Sequence, residues 1–464
     1  MKKMISLVAA LVFAGYNLAQ ADGLGLKNWT TDGSIEINGQ SATNEVDAFD
    51  GANDHRGGTV TRIALGIGMD VTSGVKGKVL FLRNSQTLPG NAQYGDGITS
   101  VNAEEAGICL DNAYIDIDNM LTMDTFRIGR QYGGRPGDTL VYFDRYNDDS
   151  LTTNSLDALS VSKKVGLVDL SFVTGKVNED DVIANADNDD ALGDVNVSWL
   201  IAKTDKVVPN LPLEIGIYQG TDSNGPAAGD NCNLVIYDLR AGYSLMGDAV
   251  KLCAEYAMNQ GGMNGAGIGG AEMKFKGNAL VLKAKYENKD LGFGGHLKYM
   301  NASGDDQNSA NNDDKSFHDY SQLGWNVSDL RYGEILSNSN ALAVGGVGAS
   351  VGLDTGLNGT GLNVINLGGD YTLPVMDKKV SLALDYFVSQ VNEVANGIDD
   401  GVGTEIDLSA NYKHSETVSA KVGYATFSPE KGYVNGYAAN ANLPTDDVTK
   451  LFAKLCVKWG MDSK

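Results

Sequence analysis

The sequence predicts an all-β protein, a transmembrane antiparallel up-and-down β-barrel of about 18 strands, with about 16 as the alternative count. Three observations predict this fold. Apolar residues alternate with small or polar residues over many segments, short turns alternate with long polar loops, and no run of about 18 apolar residues supplies a transmembrane helix. The 58 glycines against 8 prolines suit many tight turns, and the 20 tyrosines suit aromatic belts at the two membrane interfaces.

The N-terminal segment has the three parts of a secretory signal. Lys2 and Lys3 give it a positive start, residues 4–14 form an apolar run too short to span a bilayer, and Ala-Gln-Ala precedes Asp22 as a cleavage site. We therefore expect a signal peptide over residues 1–21, cleaved near Ala21. Residues 22–464 are expected to form a single barrel domain with one long loop at 303–361.

Alternation with a period of two gives each predicted strand one apolar face and one polar face. In TRIALGIGMDV, Ile63 and the apolar residues that follow it oppose Arg62. In VNVSW, Val197 and Trp199 share the apolar face. A barrel turns this face toward lipid and a soluble sandwich turns it toward a core, so alternation alone leaves both folds open.

The lengths of the connections decide between these two folds. The turns TSGV, KKVG, SLMGD, NKD, VMDK and HSE mostly alternate with long polar loops, which is typical of short periplasmic turns and long extracellular loops. The predicted strands are 34–43, 59–71, 76–84, 105–117, 124–131, 157–163, 167–177, 193–203, 212–221, 233–244, 249–259, 277–287, 291–302, 362–373, 378–392, 403–413, 417–428 and 447–459. Residues 248–260 and 446–459 also have helical spacing, but the rhythm and closure of the barrel favour strands there.

Charge and motifs exclude several function classes. The formal net charge of −23 is not that of a nucleic-acid-binding protein. The four cysteines are too widely spaced for a metal, redox or haem motif, although a disulfide stays open. H-E-x-x-H and G-x-S-x-G are absent, so we expect no enzyme and no cofactor. The acidic stretches 178–190, 304–314 and 396–401 are interpreted as solvated loops, with Ca²⁺ binding as the alternative.

Two segments resemble a known family. Residues 111–135 read DNAYIDIDNMLTMDTFRIGRQYGGR, and residues 324–336 read GWNVSDLRYGEIL. A strand, a tight turn and a strand ending in R-I-G-R-Q resemble bacterial outer-membrane porins, including the 18-stranded alginate-export-like group. The resemblance implies residence in outer-membrane lipid and a water-filled channel for passive diffusion of small hydrophilic solutes or ions; a homotrimer stays open. The alternatives are a channel selective for an anionic oligosaccharide, a structural or adhesive barrel with a plugged lumen, and a soluble secreted β-protein.

Charged residues on the polar faces are the candidates for a pore lining. They are Arg62, Asp116, Arg127, Arg240, Lys251, Lys283, Lys285, His296, Lys298, Asp385, Asp407 and Lys421. Arg130 joins them through the family motif, although alternation places it on the lipid-facing side, at the rim or beside a bulge. As a set these charges would determine ion preference, whereas each one alone has the alternative of pairing across strands.

Loop 303–361 is the candidate constriction, because it is the longest loop and is rich in aromatic residues. Trp325, Arg331 and Tyr332 are its candidate contacts with a wall or a solute. An extracellular cap is the alternative structure for this loop.

Overall fold

The computed structural model of the chain is a single antiparallel sheet that closes on itself. It describes residues 27–44, 55–87, 108–132, 140, 155–178, 195–222, 231–264, 272–305, 313–318, 332–336, 361–393, 400–430 and 446–460. The predicted signal peptide lies outside these residues. No helix in the described ranges is long and apolar enough to cross a membrane.

Eighteen strands form the wall of the barrel, and two short strands, β12 and β15, pair beside it. The strands are β1 (Lys27–Thr43), β2 (His55–Thr72), β3 (Val75–Thr87), β4 (Cys109–Asp118), β5 (Thr125–Tyr132), β6 (Ser155–Val165), β7 (Val168–Asn178), β8 (Val195–Thr204), β9 (Leu213–Asp222), β10 (Asn231–Leu245), β11 (Val250–Asn264), β12 (Glu272–Phe275), β13 (Asn278–Asn288), β14 (Phe293–Ala302), β15 (Asp313–Asp314), β16 (Leu362–Thr372), β17 (Val380–Val391), β18 (Gly401–Lys413), β19 (Val418–Pro429) and β20 (Val448–Trp459).

Each wall strand pairs with its neighbours in the chain, and β1 pairs with both β2 and β20, which closes the barrel. The predicted fold class and the count of 18 strands are therefore confirmed. The two segments with helical spacing are strands β11 and β20. β1 begins at Lys27 rather than at residue 34, because its pairing with β2 continues through a register shift beyond the alternating residues.

Short turns lie at one end of the barrel, which we call the short-turn end, and long loops lie at the long-loop end. The turn between β2 and β3 contains Gly74 at φ +88, and the turn between β10 and β11 contains Met246 and Gly247, also at positive φ. Positive φ is unfavourable for most side chains, and turns of this kind favour glycine. The two chain ends of the barrel, Lys27 and Trp459, also lie at the short-turn end.

The outer face of the wall is apolar. Outward residues such as Leu367 and Leu451 are about 60% exposed, as expected for side chains that face lipid. Val197 and Trp199 are a correction to the sequence prediction, because both lie inside the barrel and are only 2% exposed. On β8 the outward residue is Leu200. The apolar face of β8 points inward, and its outer face carries Asn196 and Ser198 beside Leu200, so alternation separates the two faces but does not identify which one faces the interior.

The interior changes character along the barrel axis. On β8 to β20, inward residues near the long-loop end are mostly apolar and buried in one cluster, whereas those near the short-turn end are mostly charged. The cluster also contains residues from outside the wall strands: Leu140, Phe275, Phe317, Tyr332 and Leu336. Parts of the loops therefore fold into the barrel and bury apolar surface there, which stabilises them in place.

Candidate functional site in the barrel interior

One wall of the interior carries a group of basic side chains. On β13 and β14, Lys283 lies directly opposite Lys298, and Lys285 lies opposite His296. Lys251 on β11 is the other register partner of Lys285. Directly opposed residues point to the same face of a sheet. Because the adjacent apolar residues of these strands point outward, all five basic side chains point inward.

His296 links this basic wall to the acidic wall of β16 to β18. Its Nε2 lies 2.8 Å from the Asp385 carboxylate and 3.0 Å from Asn366 Oδ1. Asn366 in turn donates from its amide nitrogen to Asp385 over 3.1 Å. Asp385 lies directly opposite Asp407 on β18, so two inward carboxylates are neighbours at this position.

A second basic group surrounds an aromatic ring on β19 and β20. The ammonium nitrogens of Lys421, Lys454 and Lys450 lie 5.1, 5.6 and 5.9 Å from the centroid of the Phe452 ring. The ring covers Gly423, where a Cβ atom would lie only 2.2 Å from it. Only a glycine at this position therefore leaves room for the ring against the wall.

Residues 332–336 of the longest loop lie inside the barrel, and we call this segment the strap. Three consecutive strap N–H groups donate to wall carboxylates: Glu334 to Asp407 over 3.0 Å, and Ile335 and Leu336 to Glu405 over 2.7 and 2.9 Å. Glu405 is 1% exposed. Breaking one of these bonds would leave a buried N–H group without a partner, which is costly, so the strap is firmly attached to β18.

The side chain of Glu334 attaches the strap to the second basic group. Its carboxylate lies 3.2 Å from Lys421 Nζ and 3.7 Å from Lys450 Nζ. Lys450 also donates to the Glu334 carbonyl oxygen over 2.8 Å. Tyr332 and Leu336, at the two ends of the strap, are buried in the apolar cluster. The strap therefore contacts three consecutive wall strands, β18 to β20.

Residues from the two basic groups, the acidic residues and the strap enclose one cavity of about 520 Å³ about midway along the barrel. Seven predicted pore-lining residues line it: Lys283, Lys285, His296, Lys298, Asp385, Asp407 and Lys421. Gly333 and Glu334 of the strap and Phe387 and Phe452 of the wall complete this part of the lining. A chamber that is lined by mixed charges and bounded by a fixed loop can restrict and orient charged solutes.

Two more loop segments are held by inward polar residues of β11. The Leu140 N–H donates to Glu255 over 2.9 Å. Asn259 accepts from the His318 N–H over 2.6 Å and donates to the His318 carbonyl over 2.8 Å. Inward polar residues of the wall thus hold three separate loop segments. Some inward polar side chains of the wall therefore contact a loop and not solvent.

Asp314 stabilises the segment that contains His318. Its carboxylate lies 2.7 Å from His318 Nε2 and accepts from the Ser316 N–H over 2.8 Å. Burial acts to raise the pKa of Asp314, but the hydrogen bonds and the charge of His318 outweigh it and lower the pKa below its ordinary value. The carboxylate is therefore favoured over the acid in the folded loop.

The predicted arginines lie on other parts of the wall. Arg62 forms a buried ion pair with Glu36 at 2.5 Å. Arg127 donates from two nitrogens to the Asp116 carboxylate, over 2.6 and 2.9 Å, and its guanidinium lies 3.9 Å from the centroid of the Tyr114 ring. Arg62 and Arg127 line a separate cavity of about 90 Å³.

The remaining candidates have different positions. Arg240 on β10 lies between Glu214 and Glu255 in the register, apart from the large cavity. Arg130 has the outward orientation that alternation indicates, and it pairs with Asp157 at 3.3 Å. Of the candidate constriction residues, Tyr332 lies in the strap, whereas Trp325 and Arg331 lie outside the described residues.

Sequence reasoning missed several residues of this site. Glu405, Lys450 and Phe452 occupy inward positions on predicted strands, so alternation could have identified them. No pattern in the sequence indicated Glu334, since its role depends on where the loop meets the wall.

Comparison with solved structures gives many matches of this fold. OpdQ of Pseudomonas aeruginosa matches with a TM-score of 0.57 at 12% identity, covering 94% of this chain and 99% of that one. OccAB1 of Acinetobacter baumannii matches with a TM-score of 0.57 at 12% identity, covering 95% and 99%. The outer membrane protein OpdK of Pseudomonas aeruginosa matches with a TM-score of 0.53 at 11% identity, covering 93% and 99%.

These matches extend over nearly the whole of each barrel, so the chain has the fold of these bacterial proteins. The predicted resemblance to outer-membrane barrels is confirmed at the level of the fold. The narrower likeness to alginate-export porins stays a prediction. No family model and no curated protein sequence matches this chain.

Proposed function

We propose that the chain is an outer-membrane porin, a water-filled channel for passive diffusion of small hydrophilic solutes or ions. The observation that carries this proposal is a closed barrel that is apolar outside and encloses a cavity lined by lysines and carboxylates. A bilayer-spanning sheet must close on itself because unpaired edges cannot be hydrated in lipid. In this orientation the short-turn end is periplasmic and the strap narrows the lumen.

A preference for anions is the second candidate, and the two basic groups favour it. Lys283, Lys285 and Lys298 lie on one side of the cavity, and Lys421 lies on the other. Fixed positive charges in a confined channel raise the local concentration of anions. A channel selective for an anionic oligosaccharide is the narrower form of this candidate.

Conductance of the purified protein in planar bilayers tests the main proposal. We expect stepwise conductance from protein that migrates as a heat-modifiable, folded barrel. A folded barrel without conductance would favour the alternative of a structural barrel with a plugged lumen. In that alternative the apolar cluster inside the barrel would be the plug.

Reversal potentials in a salt gradient test the second candidate. We expect a value on the anion-selective side and a shift toward cations in a Lys283→Gln/Lys285→Gln variant. Lys206→Gln, in the exposed turn between β8 and β9, is the control that removes the same charge elsewhere. A cation-selective potential that the double substitution leaves unchanged would exclude an anion-selective lumen.

A further inference from the structure

The turns at the short-turn end carry exposed apolar residues. Six consecutive short turns, from β4–β5 to β16–β17, each present a large apolar side chain: Leu121, Leu167, Val207, Met246, Leu291 and Met376. We call these six turns the apolar arc. Met246 is 80% exposed and Leu121 73%, more than Leu367 on the outer wall at 61%. Single exposed apolar residues are ordinary on a protein surface, but a series on six neighbouring turns indicates a contact with something outside the chain.

The other two turns at this end are polar. The turn between β2 and β3 is Ser73-Gly74, and residues 414–417 between β18 and β19 are His-Ser-Glu-Thr. Both turns lie next to the closing pair β1 and β20, so they form one side of the rim together with the two chain ends. We call this side the polar arc. The apolar residues therefore follow one continuous part of the circumference and are not scattered around it.

Three residues of the apolar arc have a backbone conformation that is unfavourable for them. Leu121, Met246 and Met376 have φ of +51, +53 and +50. Glycine, asparagine and aspartate adopt this left-handed region at lower cost than leucine or methionine. None of the three belongs to the apolar clusters that the described residues form inside the barrel. Strain at an exposed apolar residue without packing in the interior indicates that the side chain has its contact outside the chain.

The apolar arc continues the outer wall of the barrel. Val165 is an exposed outward residue at the end of β6, and Leu167 follows it in the turn. Phe293 is an exposed outward residue at the start of β14, and Leu291 precedes it. The surface that faces lipid on the wall is therefore extended by the turns below it.

The spacing and the charges of the turns indicate which partner they suit. Successive turns lie two strands apart, roughly 10 Å, so their tips do not form the single closely packed patch that a protein partner requires. Lipid chains fill such gaps. Charged residues beside the tips pair with each other, as Lys163 does with Asp124 at 3.3 Å and Lys164 with Asp169 at 3.0 Å. Paired charges beside apolar tips suit the headgroup layer of a phospholipid leaflet.

We propose that the apolar arc is immersed in the periplasmic leaflet of the outer membrane, at the boundary between headgroups and acyl chains, while the polar arc stays in water. The barrel then lies deeper in this leaflet on the side of the apolar arc. This inference rests on the proposed function only in that the barrel spans a membrane.

Spin-label EPR on the full chain in vesicles of phosphatidylethanolamine and phosphatidylglycerol tests the depth of the tips. The labels are attached at Leu167→Cys, Val207→Cys and Leu291→Cys, one at a time, with the four native cysteines replaced by serine. Collision rates are measured with oxygen, which concentrates in the bilayer, and with a nickel chelate, which stays in water. We expect the ratio of the oxygen rate to the nickel rate at the three tips to be several-fold higher than in the polar arc.

Matched positions make this measurement decisive. Ser73→Cys and Glu416→Cys report the polar arc, and Leu367→Cys reports the outer wall. Ratios at the tips equal to those of the polar arc would overturn the proposal. Protection of the tips from both reagents would mean that protein covers them, and this would overturn it too.

Urea unfolding from the same vesicles is a second measurement that keeps the native cysteines. Val207→Asp/Leu291→Asp should raise the unfolding equilibrium constant roughly fivefold or more, since charges on a lipid-facing surface are destabilising. Ser73→Asp/His414→Asp, which adds one carboxylate to each polar turn, should change this constant by less than about twofold. Equal effects of the two double variants would refute the immersion of the apolar arc.

The outer-wall label and conductance separate this inference from the proposed function. A label at Leu367→Cys that collides with the nickel chelate and not with oxygen contradicts the membrane-spanning barrel and with it both proposals. Tips in water on a barrel with its wall in lipid contradict the inference and leave the channel standing. Tips in lipid on a barrel that does not conduct contradict the channel and leave the inference standing.

Discussion

The attachment of the strap to β18 gives a quantitative prediction for Glu405→Gln. Glu405 accepts the N–H groups of Ile335 and Leu336, and leaving one buried N–H group of this kind without its partner costs about 1–3 kcal/mol. Glutamine keeps one acceptor oxygen and places an NH₂ group where the other was, so one strap N–H loses its partner. We expect the attached strap to be destabilised by about 1–3 kcal/mol, which multiplies the detached population roughly 5- to 160-fold.

Single-channel recording is the assay for this prediction. We expect Glu405→Gln to raise the mean conductance or to add transitions to a larger open level, because a detached strap no longer narrows the lumen. The control is Glu287→Gln, the same substitution at an inward position on β13 that makes no described contact with the strap.

A second substitution tests the same strap through an unrelated contact. Leu336 is 5% exposed in the apolar cluster, and truncation of a buried leucine costs about 2–5 kcal/mol. Leu336→Ala should therefore change conductance in the same direction as Glu405→Gln. Wild-type conductance in both variants, with the barrel fully folded, would refute the claim that the strap narrows the channel.

Three further predictions concern the lumen, the closure of the barrel and pH. The partly buried thiol of Cys253 lies on the basic wall, so an anionic methanethiosulfonate should modify this thiol faster than a cationic one does. The control is the C253S variant, which lacks the thiol. Equal rates of modification by the two reagents would contradict a positive lumen. At Gly33 a Cβ atom would lie 2.3 Å from the Trp459 ring, so Gly33→Val should lower the yield of heat-modifiable barrel, whereas Gly39→Val, whose nearest contact is 3.7 Å, should not. The pKa of Asp314 is lowered from 3.8 in the folded loop, so the stabilisation that its carboxylate gives the loop is complete above pH 3.8 and is lost as the pH falls through the lower folded pKa. Protease cleavage of the loop should therefore increase only below pH 3.8. An increase at pH 5 would contradict this prediction.

The wall of the barrel could be predicted because its signal is local. A period of two and the alternation of short and long connections hold over nearly every strand, and the pairing of neighbours in the chain then fixes the topology. Alternation failed at Val197 and Trp199 for a physical reason. The interior near the long-loop end is filled by loop residues and is apolar, so the apolar face of β8 points inward there and not toward lipid.

The site was only partly predictable, since it combines local and distant information. Alternation placed Lys283, Lys285 and His296 on the inner face, and the register brings them together. The position of the strap depends on which residues of a long loop contact β18, and neither periodicity nor composition indicates those residues. The sequence predicts that the long loop enters the lumen or caps it, and only the structure identifies Glu334 and Glu405 as its attachment.

The net charge of −23 does not determine which ions such a channel prefers. Many of the acidic residues lie in loop segments of the sequence, whereas the lysines lie around an enclosed cavity. Salt screens exposed charges beyond about 8 Å at physiological ionic strength, and screens partly buried charges much less. A solute inside the barrel is therefore acted on mainly by the side chains that surround it. Lys283, Lys285, Lys298 and Lys421 should accordingly dominate selectivity, with the acidic loops affecting only the approach of ions to the channel mouth.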